Sequence, residues 1–443
     1  MKNIILLSLI LLLLISASCN TTEPPPPDGE KPTLELKLED VSCTEAWIEL
    51  RTTNLQLPAT ITIKQYNPTG DTVNQNIILS NAHSLLYIDS LLPNQTYKFQ
   101  SIIQPISQSE EVKSNELQVT TLTPTSQEFT WQAYSWGMHS SSEIRDIAII
   151  DENNIWCVGE IFMNDSLGNP EPSCYNAAHW NGQSWELKKI KTNACGGVDY
   201  PPIKTIFAFS MDDILFAHID GSISHFNGVE FRNDCSLITQ LDGSANKIWG
   251  ISQTDFYVVS GNGFIAHYQN GNWQKIESGT DINFRDIYGS VNKDNNELEI
   301  IALASNSGLN QRKKIVRIKD QSVETLPDSG LADYLSTLWF ISGRKYCIGG
   351  QGYYESETFG PVWERDNTIP QFHITSIRGA GLNDIVLGGS FGLLMHYNGV
   401  SWMNYAYISA LYFDVITRVT IKGNTIVAAG FKGSKAVILI GKR

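Results

Sequence analysis

His179-Trp180-Asn181-Gly182-Gln183-Ser184-Trp185 is a phrase that the chain repeats. It returns as His225-Phe226-Asn227-Gly228-Val229-Glu230-Phe231, as His267-Tyr268-Gln269-Asn270-Gly271-Asn272-Trp273 and as His396-Tyr397-Asn398-Gly399-Val400-Ser401-Trp402. Asn-Gly between apolar flanks marks a tight hairpin, because both turn residues take positive φ. The copies are 46, 42 and 129 residues apart, and the last gap is three times 43. Two eroded copies are therefore expected within it, at Arg317-Ile318-Lys319-Asp320-Gln321 and at Trp363-Glu364-Arg365-Asp366-Asn367.

A second phrase precedes each copy. It is clearest as Ile248-Trp249-Gly250-Ile251-Ser252-Gln253-Thr254-Asp255-Phe256-Tyr257-Val258-Val259-Ser260-Gly261 and as Ile377-Arg378-Gly379-Ala380-Gly381-Leu382-Asn383-Asp384-Ile385-Val386-Leu387-Gly388-Gly389, with weaker copies from Ile147, Ile206, Ile287 and Leu338. Each unit reads strand, acidic turn, strand, Gly-rich loop, strand, Asn-Gly turn, strand. Four antiparallel strands in about 40–45 residues make a propeller blade. The count is six full units and a last one, Thr417 to Ile440, with three strands. Its outer strand is expected from upstream, at Phe129-Thr130-Trp131-Gln132-Ala133-Tyr134, which would close the ring and hide the open sheet edges.

These units resemble a bacterial propeller type whose repeats read roughly WGSS..DVWAVG..G.I.HYDG..W, a family of unassigned activity. They lack the Gly-His and Trp-Asp pairs of WD40 blades. The count of units and the closing strand give an expected seven-bladed β-propeller over residues 125–443, with six or eight blades as the alternatives.

Residues 31–124 form a separate unit of short alternating runs, such as Leu34-Glu35-Leu36-Lys37-Leu38, Ala46-Trp47-Ile48-Glu49-Leu50 and Ala59-Thr60-Ile61-Thr62-Ile63-Lys64. Period-two alternation of this kind signals half-buried antiparallel strands. Leu91-Leu92-Pro93-Asn94-Gln95-Thr96-Tyr97 is similar to the tyrosine corner of sandwich domains, and the whole segment resembles a fibronectin type III module. The expected fold class is all-β, an immunoglobulin-like, fibronectin type III sandwich followed by the propeller.

The N-terminus reads as an export signal. Met1-Lys2-Asn3 is basic, Ile4 to Ile15 is apolar apart from Ser8, and Ser16-Ala17-Ser18 leads to Cys19. This resembles a bacterial lipobox with Ser16 in place of the usual Leu, and implies a signal over residues 1–18 and lipidation of Cys19. Residues 19–30, with Pro24 to Pro27, then form a stiff tether. The expected location is the bacterial cell envelope, with Asn20 after the cysteine favouring the outer membrane, facing periplasm or surface. Contact with the membrane is expected through the lipid anchor only.

Net charge is −14, which argues against nucleic acid as a partner. No cofactor or metal is expected. His179, His225, His267 and His396 occupy equivalent places in different units and cannot converge on one ion. Asp151, Asp213, Asp255 and Asp384 belong to tight turns, and Arg145-Asp146 and Arg285-Asp286 read as sources of ion pairs between blades. Export permits disulfides. Cys195 is expected to bridge Cys174 or Cys235, while Cys157 and Cys347 fall within strands as buried thiols.

The least repetitive loops share one face: Phe162 to Ser173, the link through Pro201-Pro202, and Tyr353 to Phe359. His139 and His373 belong to links on the same side. Loops on a rigid scaffold concentrate binding residues. The candidate ligand-binding set is Tyr200, Tyr353, Tyr354 and Phe359, with Asp199 and Glu355 on the rim, and the alternative is that these aromatics pack inward. The leading expectation is an envelope binding or adhesion protein whose propeller face takes a glycan or an envelope or extracellular protein. A polysaccharide lyase or hydrolase and a purely structural component are the alternatives. No catalytic constellation is evident in the residue spacing.

Overall fold

The computed structural model describes residues 31–104, 110–192, 195–240, 244–307 and 312–443. The expected signal, Cys19 and the tether lie outside the described residues. The chain is all-β, built of many small antiparallel sheets. Among the described residues, no helix is long and apolar enough to cross a membrane.

The chain divides into two compact units. One comprises the chain up to Asp40, Trp47–Ile88 and Thr96–Thr120; the other comprises Val41–Ala46, Asp89–Gln95 and Thr121–Arg443. The smaller unit holds two sheets. Thr33–Val41, Ala46–Thr53 and His83–Ile88 form one, and Ala59–Tyr66, Thr72–Leu79, Thr96–Ile103, Val112–Lys113 and Leu117–Thr120 form the other. Alternation decides which side is covered: Leu34 and Leu36 are buried while Thr33, Glu35 and Lys37 are exposed. Trp47, Ile61, Ile63, Tyr97, Phe99 and Val119 are buried as well.

The larger unit holds seven successive sheets in simple meander order. Their first strands are Glu143–Asp151, Ile203–Ser210, Lys247–Ser252, Phe284–Val291, Leu335–Ile341, Ile374–Gly381 and Val415–Lys422. Each first strand contacts that of the next sheet, and the seventh contacts the first. Seven apolar clusters follow the same order, each shared by two neighbouring sheets. One joins the seventh sheet to the first through Val427, Ala429, Ile438 and Ile440 against Ile144, Ile155 and Cys157. Full burial of one such aliphatic side chain stabilises by about 1.5–3 kcal/mol, so a sheet is held by both of its neighbours.

The seventh sheet is Val415–Lys422, Thr425–Lys432 and Lys435–Lys442, with Thr130–Trp136 as its fourth strand. That strand runs antiparallel to Lys435–Lys442, from Ala436 opposite Trp136 to Lys442 opposite Thr130. It covers an edge that would otherwise be an open template for pairing.

The fifth sheet departs from the sequence reading. It has three strands, Leu335–Ile341, Lys345–Gly350 and Gly352–Ser356, and the expected outer copy at Trp363–Asn367 is not a strand. An isolated bridge between Tyr354 and Arg365 remains. The segment lacks an Asn-Gly turn, but so does the fourth sheet's copy at Lys319-Asp320-Gln321-Ser322, which still forms its hairpin. Trp363 is instead buried in the cluster between the fourth and fifth sheets.

Candidate functional site

The first strands carry a shared irregularity near their start. The register shifts between Ile144 and Asp146, Ile203 and Thr205, Phe284 and Asp286, Leu335 and Thr337, Ile374 and Ser376, and Ile416 and Arg418. Such a bulge leaves one residue unpaired and re-aims its side chain. The bulge residues are Arg145, Lys204, Arg285, Ser336, Thr375 and Thr417, and in the third sheet Asn246 stands at the corresponding place before Lys247. These seven residues, with Tyr334, His373 and Arg418, line a single pocket of about 270 Å³.

The residue after each bulge forms a second layer. Asp146, Thr205, Lys247, Asp286, Thr337 and Ser376 are buried. Lys247 Nζ donates to both oxygens of Asp146 at 2.8 and 2.6 Å, and the Thr205 hydroxyl and Ile206 N–H donate to Oδ2 at 2.6 and 3.1 Å. Asp286 accepts from Arg378 Nη1 and Nη2 at 3.0 and 2.9 Å, from the Thr337 hydroxyl at 2.9 Å and from the Leu338 N–H at 3.1 Å. Burial alone would raise both carboxyls, but Lys247 and Arg418 hold Asp146, and Arg378 holds Asp286, below the ordinary aspartate range. Both aspartates thus bond to other sheets. Arg145 stays within its own sheet, paired with Glu143 and Glu160 at 2.7 and 2.6 Å.

With the aspartates committed below, the pocket above them is positive. Lys204 Nζ donates to Ser244 Oγ at 3.1 Å and Arg285 Nε to the Ser305 carbonyl at 2.8 Å, both neutral oxygens. Among the described residues, no carboxylate pairs with either cation or lines the pocket. Burial lowers the Lys204 pKa, and the charges of Arg145, Arg285 and Arg418 lower it further. His373 stacks on Tyr334 at 5.0 Å and shares a 2.9 Å hydrogen bond with Ser336 Oγ. Burial, with Arg285 nearby, lowers its pKa, so its imidazole is neutral at pH 7. Arg145 and Arg418 have carboxylate partners, so it is Lys204 and Arg285 that give the cavity its positive character in a chain of net charge −14, a local well for an anion.

Of the link and loop residues singled out in the sequence, His373 lines this pocket, whereas Asp199, Tyr200, Tyr353, Tyr354, Glu355 and Phe359 do not. Asp199 is exposed, 3.6 Å from Lys191, and Tyr200 lies half-buried with Lys189 Nζ 5.9 Å from its ring centre. Tyr353 and Tyr354 are corrections. They are 1 % and 3 % exposed and offer a ligand no surface. The segment expected as a loop is the third strand of the fifth sheet, covered on both sides. The Tyr353 hydroxyl donates to Glu355 Oε2 at 2.7 Å, and the Tyr354 hydroxyl accepts the Ala332 N–H at 3.0 Å. Glu355 is tied to Lys345 Nζ at 2.7 Å, and Phe359 packs edge-on against Tyr346 and Trp363. His139 bonds the Met163 carbonyl at 3.1 Å and takes no part in the pocket.

Cys195 and Cys235 form a disulfide with Cα atoms 5.4 Å apart, and Cys174 is a buried free thiol beside the Tyr200 carbonyl. The link after the first sheet is thereby stapled to the link after the second. The repeat histidines are structural. His179 bonds Asn154, His267 bonds Asp255 and His396 bonds Asp384, at 2.9, 2.7 and 2.7 Å. Among the described residues, no group of three His, Cys, Asp or Glu side chains could hold a metal ion.

The basic residues at the bulges are what the sequence reading missed. Arg145 and Arg285 were seen only as halves of Arg-Asp pairs. The signal is the position before that aspartate, aligned across the units as Arg145, Lys204, Asn246, Arg285, Ser336, Thr375 and Thr417. No protein-family model matches this chain, and no curated protein is similar to it.

Proposed function

We propose that the chain is an exported bacterial lipoprotein, held at the cell envelope through Cys19, whose larger unit is a seven-bladed β-propeller that binds an anionic ligand in its central pocket. The smaller unit is read as a fibronectin type III-like sandwich. The cyclic contacts of seven first strands and the seven shared apolar clusters support the propeller reading. The carrying observation for function is the pocket lined by one equivalent residue from each sheet, with Lys204 and Arg285 bonded only to neutral groups. A glycosidase needs two acids flanking the scissile bond, and this lining supplies none, so binding is favoured over hydrolysis.

The test is calorimetric titration with free glucuronate and with its methyl ester. The expected result is saturable binding of the acid alone, lost in the Lys204→Ala/Arg285→Ala double variant. Equal binding of acid and ester, or no binding of either, would refute the anion pocket.

A further inference from the structure

The loop that bonds the backbone of the pocket residue His373 carries a strained and exposed aromatic. Phe391 has φ +58° and is 69 % exposed. A bulky residue in the left-handed region is an outlier, costing on the order of 1–3 kcal/mol, and such strain clusters at binding sites. The repeat supplies an internal control. The corresponding loop of the third sheet is Ser260-Gly261-Asn262-Gly263-Phe264, closed by Ser260 N–H to Phe264 O and Phe264 N–H to Gly261 O. In the sixth sheet, Gly389-Ser390-Phe391-Gly392-Leu393 closes with the same two bonds, Gly389 to Leu393 and Leu393 to Ser390. Asn262 at φ +50° and Gly263 at +68° are the residues such a turn favours. Phe391 stands where the third sheet has that asparagine. The turn geometry therefore does not call for it, and folding gains little burial from it.

Its neighbours explain where it points in chemical terms. Phe391 lies 5.3 Å, centre to centre, from Phe372, which is itself 41 % exposed. Phe372 immediately precedes the pocket residue His373, and the Ser390 N–H donates to the His373 carbonyl at 2.9 Å. The two rings are tilted by 54° and form an open apolar corner that is joined to the pocket through His373, the residue after Phe372. The pocket, at about 270 Å³, lies below the usual volume of a drug-sized ligand site, about 300–1,000 Å³, so it takes one charged unit rather than a chain.

Resting on the reading of the pocket as an anion site, we infer that the ligand is an acidic oligosaccharide, its carboxylate-bearing end sugar held by Lys204 and Arg285 and the following sugar ring laid against Phe391 and Phe372. An aromatic face matches the apolar C–H face of a pyranose, and the adjacent charge matches the uronate. A lone anion would use the pocket and leave the corner idle. The corner is therefore the determinant of chain over monomer.

The experiment titrates the full chain, in mild detergent, with glucuronate and with tetrasaccharides of hyaluronate, chondroitin sulfate and polygalacturonate. Phe391→Asn installs the residue of the corresponding third-sheet loop and should melt no lower than the parent, which separates lost binding from lost folding. The expected result is that the hyaluronate or the polygalacturonate tetrasaccharide binds ten or more times tighter than glucuronate, and that Phe391→Asn and Phe372→Ser each cut that ratio at least fivefold. The Lys204→Ala/Arg285→Ala variant should lose monomer and oligomer together. A ratio near one in the parent, or one that survives both phenylalanine changes, overturns the corner while leaving the anion pocket standing. Failure of glucuronate and all three tetrasaccharides to bind overturns both. A preference for the chondroitin sulfate arm alone would assign the anionic group as sulfate and overturn the uronate end.

Discussion

Lys247 donates to both carboxylate oxygens of Asp146 although the two residues stand on the first strands of the third and first sheets, which are not neighbours in the series. The bond spans the first strand of the second sheet, whose Thr205 hydroxyl donates to the same carboxylate. Asp286 and Arg378 repeat the arrangement from the fourth to the sixth sheet across Thr337. A buried charge is tolerable only when paired and fully hydrogen-bonded. Asp146→Ala removes the partner of Lys247 and of the nearby Arg418, and is expected to lower unfolding free energy by about 3–5 kcal/mol. Urea denaturation measures it; a loss below 1 kcal/mol would show that the layer does not hold the sheets.

Tryptophans mark the fit between neighbouring sheets. A methyl group on Gly289 would stand 2.4 Å from Trp249, and one on Gly379 would stand 2.5 Å from Trp339. In both cases the glycine and the indole lie on adjacent sheets. Gly379→Ala is expected to destabilise by about 1–3 kcal/mol through overpacking, read as a lower thermal midpoint. Gly433→Ala, with open space around it, should show only the smaller cost of its left-handed φ of +56°.

Proton uptake should couple to ligand binding. His373 is neutral at pH 7 because burial and Arg285 lower its pKa below 6.5. A bound carboxylate reverses part of that effect, so the complex holds the proton more tightly than the free protein. Affinity for glucuronate should therefore rise as pH falls from 7 into the range where His373 takes up its proton, by about three- to tenfold for one added charge in this setting. His373→Asn should flatten the profile. A parent affinity independent of pH from 7 down to the glucuronate pKa would exclude the coupling.

Reduction should loosen the face formed by the links. The Cys195–Cys235 disulfide closes a loop of sequence separation 40, for which a chain-entropy estimate is about 4 kcal/mol, with about 2–4 kcal/mol usual in practice. The Cys195→Ser/Cys235→Ser variant should lose stability of that order. Cys157 and Cys347 are buried thiols whose pKa burial raises, so both should resist alkylation in the folded protein.

The anchor is tested directly. Cys19→Ser should abolish incorporation of labelled palmitate and move the protein from the membrane to the soluble fraction. Unchanged incorporation and fractionation would refute the lipoprotein reading.

The order of strands in each unit was legible because it is local. Asn-Gly turns such as Asn181-Gly182 and period-two alternation act over a few residues, and their recurrence exposed the unit length. Of the two copies without Asn-Gly, that at Arg317–Gln321 still forms its hairpin, whereas at Trp363–Asn367 the expected strand is absent. The reading of Tyr353 and Tyr354 failed for a physical reason. Whether a β segment is covered depends on the sheets beside it, and nothing in Tyr353 to Phe359 itself records that Trp402 of the next sheet packs on Tyr353.

Sequence alone therefore determined the all-β class, the repeating unit and its turns, since those depend on neighbours along the chain. Only the tertiary structure decided the site. Arg145, Lys204 and Arg285 are separated by whole repeats, and they meet because a bulge at one equivalent position in successive sheets turns each toward the same cavity. Arg145 is paired with Glu143 and Glu160 in its own sheet, but Lys204 and Arg285 bond only neutral groups, an outcome of packing that is invisible to any single stretch of the chain.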